Sequence, residues 1–163
     1  MPLFTRGRPL AKKVAGRSRN LFWSAVMRAF RAMKTRSMLL TAGLLGASGV
    51  ALGAFGAHAL REQLLAQGTR GTWDTAVHYH LLHAAVVFAA AAWARGDQGN
   101  IARRLTWAAR CWTAGVVLFS GSLYGLALGG PRWLGPITPL GGVAFLAGWG
   151  CVVAAALANK EEA

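Results

Sequence analysis

The chain has 163 residues, of which 55% are apolar and only 14% are charged. In soluble domains about a quarter of all residues are charged, so this composition indicates a protein that is embedded in lipid. The net charge of +13 is local, because ten of the 18 basic residues precede Ser37 in a segment without acidic residues. No aromatic interleaving or recognisable nucleic-acid-binding fold accompanies them, so we expect no nucleic-acid partner.

Residues 1–36 form a basic N-terminal extension with three competing interpretations. The stretch from Leu21 to Ala32 has the pattern of a short interfacial amphipathic helix. An Arg-rich, acid-free start also resembles an organelle transit peptide. In the third interpretation translation begins at Met33, because Met33 to Arg36 followed at once by an apolar span is an ordinary start for a small membrane protein. We favour the third, and expect the extension to be disordered or, before Met33, not translated.

Four stretches are apolar enough to cross the hydrocarbon core, which takes about 20 residues, and none contains Asp, Glu, Lys or Arg. They are Ser37 to Ala57, Thr75 to Ala94, Cys111 to Gly130 and Trp133 to Asn159. Their short connections leave no room for a separate soluble domain. The sequence therefore predicts an all-α integral membrane protein, an up-and-down four-helix bundle over 37–159 with a C-terminal tail at 160–163.

Glycines spaced three or four apart in these spans predict faces of close helix packing. Small residues let two backbones approach, which replaces the hydrophobic drive that lipid removes. The two cysteines, Cys111 and Cys151, are expected to be small packing residues and not a disulfide or a metal pair. The glycines assigned to helix packing are Gly46, Gly49, Gly53, Gly56, Gly121, Gly125, Gly141 and Gly142.

The connections carry weaker signals. Residues 59–67 predict a short helix lying at the membrane interface and stopped by Gly68. Residues 95–110 hold four arginines against one aspartate, which predicts a basic loop. Thr138 is expected to cap the fourth span, with Pro139 at the first helical position.

The distribution of Lys and Arg near the span ends predicts the orientation. One side carries seven such residues and the other carries three. The sequence therefore predicts a multi-pass protein of the bacterial inner membrane with both termini in the cytoplasm. The seven are Lys34, Arg36, Arg95, Arg103, Arg104, Arg110 and Lys160, and the three are Arg61, Arg70 and Arg132.

Histidines and tyrosines are the candidate chemical groups within the spans, because ionisable side chains are costly in a bilayer. They are His78, Tyr79, His80 and His83 in the second span and Tyr124 in the third, with His58 at the end of the first. No acidic residue or thiol joins the histidines at that end of the spans, so no metal, haem or other cofactor is predicted. The alternative is that each histidine is satisfied locally by a neighbouring helix.

Four ordered motifs give the sequence a resemblance to a known family. They are Gly53 to Leu60; Trp73 with Thr75 to Val77, Tyr79 and His83; Phe119 to Tyr124; and Gly135 to Gly142 with Phe145 and Trp149. Together they resemble the small membrane proteins of domain-of-unknown-function family 423, whose animal relatives are called transmembrane protein 256. The resemblance covers about residues 38–158. It implies a multi-pass bundle without an established activity. His80 stands where the family pattern more often has Gln, and His78 falls at a variable place.

The motifs also predict one polar cluster. With both termini cytoplasmic, all four motifs meet in the outer half of the bundle, under residues 59–72. The cluster comprises His58, Tyr79, His83, Ser120 and Thr138. It is either a binding pocket or a clasp that holds the helices together.

Three functions remain in competition on sequence grounds. The first is a structural or interaction subunit whose glycine faces pack against another membrane protein or a second copy within the bilayer. The second is a small transporter or channel with a polar site in the outer half of the bundle. The third is a membrane redox or metal-binding protein that uses His58 and His83. We favour the first, and expect no enzymatic activity.

Overall fold

The computed structural model of the protein describes residues 35–96 and 99–158. Within these two ranges every regular element is helical, as the sequence predicts. The predictions made for the segment before Thr35 and for the tail at 160–163 lie outside the described residues.

The helices follow one another with short connections. Three helical stretches, Thr35–Ala57, Arg70–Ala94 and Arg132–Leu157, are long and apolar enough to cross a membrane. The predicted third span falls on α4, a π-helical segment and α5, which run on without a break. The elements are α1 (Thr35–Ala57), α2 (Arg61–Ala66), α3 (Arg70–Ala94), α4 (Asn100–Gly115), the π-helical segment (Val116–Ser120), α5 (Gly121–Ala127), a 3-10 turn (Arg132–Leu134) and α6 (Ile137–Ala158).

The short helix after the first span is confirmed. It is α2, and Leu64 on its inner side is fully buried. Gly68 ends the segment with a φ of +66°, a conformation that residues with a side chain rarely adopt. The backbone then turns directly into α3, which begins five residues before the predicted Thr75.

Two boundary predictions are wrong. Residues 100–110 form the first part of α4 and not a loop, because apolar residues between the arginines point into the core; Leu105, Ala108 and Ala109 are all buried. Helix α6 already begins at Ile137, so Thr138 lies in the first turn and does not cap it. The Thr138 hydroxyl is engaged elsewhere, as described below.

Two apolar clusters hold the helices together. The large core lies between α1, α3, α4 and α6, and the small core lies beside α2. Large side chains also cover the outside, and Leu44 and Leu146 are each 72% exposed, as expected for a surface solvated by lipid. The large core comprises Met38, Ala42, Val87, Ala90, Ala91, Ala94, Leu105, Ala108, Ala109, Trp112, Val116 and Phe145. The small core comprises Leu64, Trp73 and Ala127, with Leu52, Leu60, Val77 and Tyr124 packed against it.

Three of the predicted packing glycines line the side of α1 that faces α3. A Cβ added at Gly49 would lie 2.7 Å from Leu81 Cδ2, and one added at Gly53 would lie 3.3 Å from Val77 Cγ1. At Gly56 the added carbon would overlap the indole of Trp73. That indole donates a hydrogen bond from Nε1 to the Leu52 carbonyl at 3.1 Å. Gly56 therefore provides the space in which Trp73 reaches the backbone of α1.

The remaining packing glycines divide into two groups. Gly125 lies against Leu134, and Gly141 lies against the backbone of Phe119 in the π-helical segment. Gly46, Gly121 and Gly142 have no neighbour within 4 Å of an added Cβ in the described part of the chain. Their assignment to helix packing stays a prediction.

We predict that Gly56→Ala destabilises the protein in detergent by about 1–3 kcal/mol, because the methyl group displaces Trp73 from its hydrogen bond and overpacks the contact. Gly46→Ala on the same helix is the matched control, and its added methyl meets open space. Thermal unfolding followed by circular dichroism checks both variants. Equal losses would show that helix propensity or detergent sets the effect, and not the contact with Trp73.

Candidate functional site

A polar layer separates the two cores. Along α3, Trp73 and Val77 belong to the small core, and Val87 and Ala90 belong to the large core. His80 and His83 fall between them and are both buried. The polar layer comprises Ser48, His80, His83, Ser120, Ser122, Tyr124 and Thr138, contributed by α1, α3, the π-helical segment, α5 and α6.

His80 joins three helices through its two ring nitrogens. Its Nε2 lies 3.3 Å from Ser48 Oγ on α1. Its Nδ1 lies 3.3 Å from the Tyr124 hydroxyl on α5. His80 is 5% exposed, whereas Ser48 lies on an exposed side of α1.

The direction of each hydrogen bond follows from the donor inventory. Ser48 Oγ lies 2.8 Å from the Leu44 carbonyl and 3.1 Å from the Leu45 carbonyl, and with its single proton donated to either one it accepts a proton from His80 Nε2. A neutral imidazole carries one proton, so Nδ1 is the acceptor and the Tyr124 hydroxyl donates to it. One directed chain therefore runs from Tyr124 through His80 and Ser48 to the backbone of α1.

His83 has the opposite tautomer. Its Nδ1 donates to the Tyr79 carbonyl at 2.8 Å, since a carbonyl only accepts, and Nε2 is left as a lone pair. The ring stacks on Phe145 of α6, with centroids 3.6 Å apart and planes at 10°. Tyr79 and Phe119 extend this aromatic group, with centroids 4.7 Å apart. His83 thus joins α3 to α6 by stacking, while its hydrogen bond stays within α3.

Ser122 and Thr138 connect α5 to the start of α6. Ser122 Oγ donates to the Phe119 carbonyl at 2.9 Å and lies 2.7 Å from Thr138 Oγ1. Because the Ser122 proton is already used, the Thr138 hydroxyl is the donor of the second bond. Gly141 permits this approach, since its bare Cα lies against the backbone of Phe119.

Of the five residues of the predicted cluster, the structure places His83, Ser120 and Thr138 in the polar layer and Tyr79 beside it. Tyr79 and His83 stack with centroids 6.0 Å apart, and Thr138 bonds to Ser122 instead of Ser120. Ser120 is fully buried. His58 lies in the turn after α1, is exposed, and makes no side-chain hydrogen bond to the other four.

The sequence analysis names His80 and Tyr124 as candidate groups, but the predicted cluster leaves both out, together with Ser48 and Ser122. His80 was set aside because the family pattern more often has Gln there. The available signal was chemical: glutamine offers a donor NH2 group and an acceptor oxygen, and neutral histidine offers one donor and one acceptor nitrogen, so both residue types suit a position that bridges two polar partners.

Metal-ligand geometry does not appear in the described residues, where no three His, Cys, Asp or Glu side chains converge. Cys111 on α4 and Cys151 on α6 are both free and partly buried. The polar layer therefore offers neutral hydrogen-bond donors and acceptors, and its groups pair mostly with one another.

Comparison with known proteins supplies the relationship. The family model described as "Protein of unknown function (DUF423)" matches residues 52–142, which include most of the polar layer. The inner membrane protein YgdD of Escherichia coli (strain K12), named as a UPF0382 protein, is 38% identical over 130 residues, 80% of this chain and 96% of that protein. The chain belongs to this family.

Other members of family 423 are similar over shorter ranges. The UPF0382 membrane protein YwdK of Bacillus subtilis (strain 168) is 44% identical over 108 residues, 66% of this chain and 85% of its own. A UPF0382 membrane protein of Haemophilus influenzae is 42% identical over 118 residues, 72% of this chain and 90% of its own. No solved structure matches the chain. The resemblance inferred from the four motifs is confirmed, and the names of these relatives specify a membrane protein without an activity.

We predict that Tyr124→Phe lowers the free energy of unfolding in detergent by about 1 kcal/mol, because His80 Nδ1 loses its donor. Tyr79→Phe is the matched control, since the Tyr79 hydroxyl has no hydrogen-bond partner in the described residues. Denaturant or thermal unfolding of both variants provides the comparison. A loss of the same size in Tyr79→Phe would contradict the directed chain through His80.

Proposed function

We propose that the protein is a structural or interaction subunit of the bacterial inner membrane, built as a four-helix up-and-down bundle. One exposed face of α1 packs against another membrane component. The observation that carries the proposal is a row of small exposed residues on α1 with no covering helix in the described chain.

The bundle topology has support from the helical stretch over 100–127. It is longer than the predicted third span, and a break in hydrogen-bond pattern at the π-helical segment is all that divides it. One end gathers α2, the start of α3 and the end of α5, where Thr69 Oγ1 donates to the Ala127 carbonyl at 2.8 Å. The seven-to-three distribution of basic residues near the ends of the predicted spans supports cytoplasmic termini. The Escherichia coli relative is named an inner membrane protein.

We predict that reporters fused after Ala163 and inserted between Gly96 and Asn100 both register as cytoplasmic. A reporter placed between Gln67 and Thr69 is the matched control and is expected on the periplasmic side. Paired alkaline phosphatase and fluorescent protein fusions measure this in a bacterial host. A periplasmic signal from either of the first two sites would exclude the four-span topology with cytoplasmic ends.

The small face of α1 consists of Gly43, Ala47, Ala51 and Ala54, all exposed. Their spacing of four, four and three residues keeps them on one side of a helix. The glycines that contact α3, at positions 49, 53 and 56, lie on roughly the opposite side. Helix α1 therefore carries two faces suited to close packing, of which α3 covers one.

Helix α1 is also less buried than its neighbour α3. Only 17% of the α1 span is buried, against 39% of α3. Because lipid gives no hydrophobic drive between helices, small residues favour association by letting backbones approach. The exposed small residues lie on α1, the less buried of these two helices. Another helix packs closely against such a surface, whereas lipid tails pack against it poorly.

We predict that Ala51→Leu abolishes the recovery of a stable complex in mild detergent while it leaves the thermal midpoint unchanged. Ala147→Leu on the exposed side of α6 is the matched control, with the same added volume at a lipid-facing position. Native electrophoresis and mass spectrometry of tagged protein from its own host report the complex. Equal recovery from both variants, or no complex from the unmodified protein, would contradict the interaction role.

A further inference from the structure

Four buried side-chain atoms have no hydrogen-bond partner in the described residues: Arg104 Nε, Trp112 Nε1, His83 Nε2 and Ser120 Oγ. The last two belong to the polar layer. His83 is 2% exposed, and Ser120 has no exposed surface at all. Buried polar groups in folded proteins are almost always paired, so each atom calls for a partner.

The contacts of His80 with Tyr124 and of Tyr79 with Phe119 imply that His83 and Ser120 lie at about the same level of neighbouring helical segments. His80 and His83 share one face of α3, being three residues apart, and Ser120 and Tyr124 are four apart on the other segment. The contact between His80 and Tyr124 brings these two faces together. The two segments run in opposite directions. One helical turn before Tyr124 is Ser120 and one turn after His80 is His83, so both steps lead toward the same end of the protein.

Their chemistry is complementary to one small ligand. His83 Nε2 only accepts, since Nδ1 carries the proton that bonds to the Tyr79 carbonyl. Ser120 both donates and accepts. A molecule with two donors and an acceptor therefore satisfies both atoms at once.

Size restricts that ligand further. Phe145 stacks on the His83 ring at a centroid distance of 3.6 Å, and Phe119, adjacent to Ser120, packs on Tyr79 at 4.7 Å. Aromatic rings thus lie beside both residues. Two protein groups are too few to hold a metal ion, which usually takes about four ligands here.

We propose that His83 Nε2 and Ser120 Oγ bind one internal water molecule, which links α3 to the π-helical segment. The water donates one proton to His83 Nε2 and forms a second hydrogen bond with Ser120 Oγ, as donor or as acceptor. Buried waters commonly serve such groups, with two to four hydrogen bonds each. The site lies at the end of a π-helical turn, a local geometry that often accompanies functional positions.

Nuclear magnetic resonance detects the water directly, with bulk water as the probe. In protein with labelled histidines, the His83 ring protons are expected to show cross-relaxation with a long-lived water, and Ser120→Ala is expected to remove it. Tyr124→Phe is the control and should leave the His83 signal in place. A native spectrum with an assigned His83 ring and no long-lived water would overturn the proposal.

A double-mutant cycle gives an independent readout. His83→Phe keeps the stacking ring and removes Nε2, and Ser120→Ala removes the hydroxyl. If one water joins them, each single variant lowers the thermal midpoint. The double variant then loses no more than either single variant, so its midpoint lies about 3 °C or more above the value expected from additive losses. If no ligand joins them, Ser120→Ala raises the midpoint or leaves it unchanged, because it deletes an unpaired buried hydroxyl. Should a variant fail to fold, the measurement on the unmodified protein still decides.

Discussion

The cost of an unpaired imidazole in an apolar interior is the constraint on which this structure depends. His80 is buried between two apolar cores, where an imidazole nitrogen without a hydrogen-bond partner is costly. Its partners come from α1 and α5, on either side of α3. The position of α1 relative to α5 is therefore tied to one ring, because a shift of either helix by a fraction of a turn would leave a buried nitrogen unpaired.

Close packing by glycine makes this pairing possible. Ser48 reaches His80 only where α1 approaches α3 closely. A Cβ added at the neighbouring Gly49 would lie 3.5 Å from His80 Cδ2. One turn further along, Gly53 admits Val77, and Gly56 then admits Trp73. The polar chain and the glycine face are thus two parts of one interface: the glycines set the distance between the helices, and the hydrogen bonds fix the register.

Much of the fold follows from composition and spacing, because spans of about 20 apolar residues and glycines every third or fourth position have few physical interpretations. The helical character of 100–110 was missed, since its arginines suggest solvent while Leu105 and Ala108 pack inward. The predicted cluster also lacks Ser122, which bonds to Thr138 just after the π-helical segment. A wider turn rotates every later residue about the helix axis, and a period of 3.6 cannot anticipate where that happens. The predicted cluster leaves out His80 because the family more often has Gln at this position. The hydrogen bonds that both residue types can form point to the opposite choice.

The opposite tautomers of the two buried histidines give the most direct test of this account. Nitrogen-15 spectra of histidine-labelled protein in lipid bilayers distinguish a protonated from an unprotonated ring nitrogen, and a His80→Gln variant assigns the signals. The account predicts that both rings are neutral, with the proton of His80 on Nε2 and that of His83 on Nδ1. A proton on Nδ1 of His80 would contradict it, because Nδ1 would then donate to the Tyr124 hydroxyl and Nε2 would accept from Ser48 Oγ, which reverses the chain.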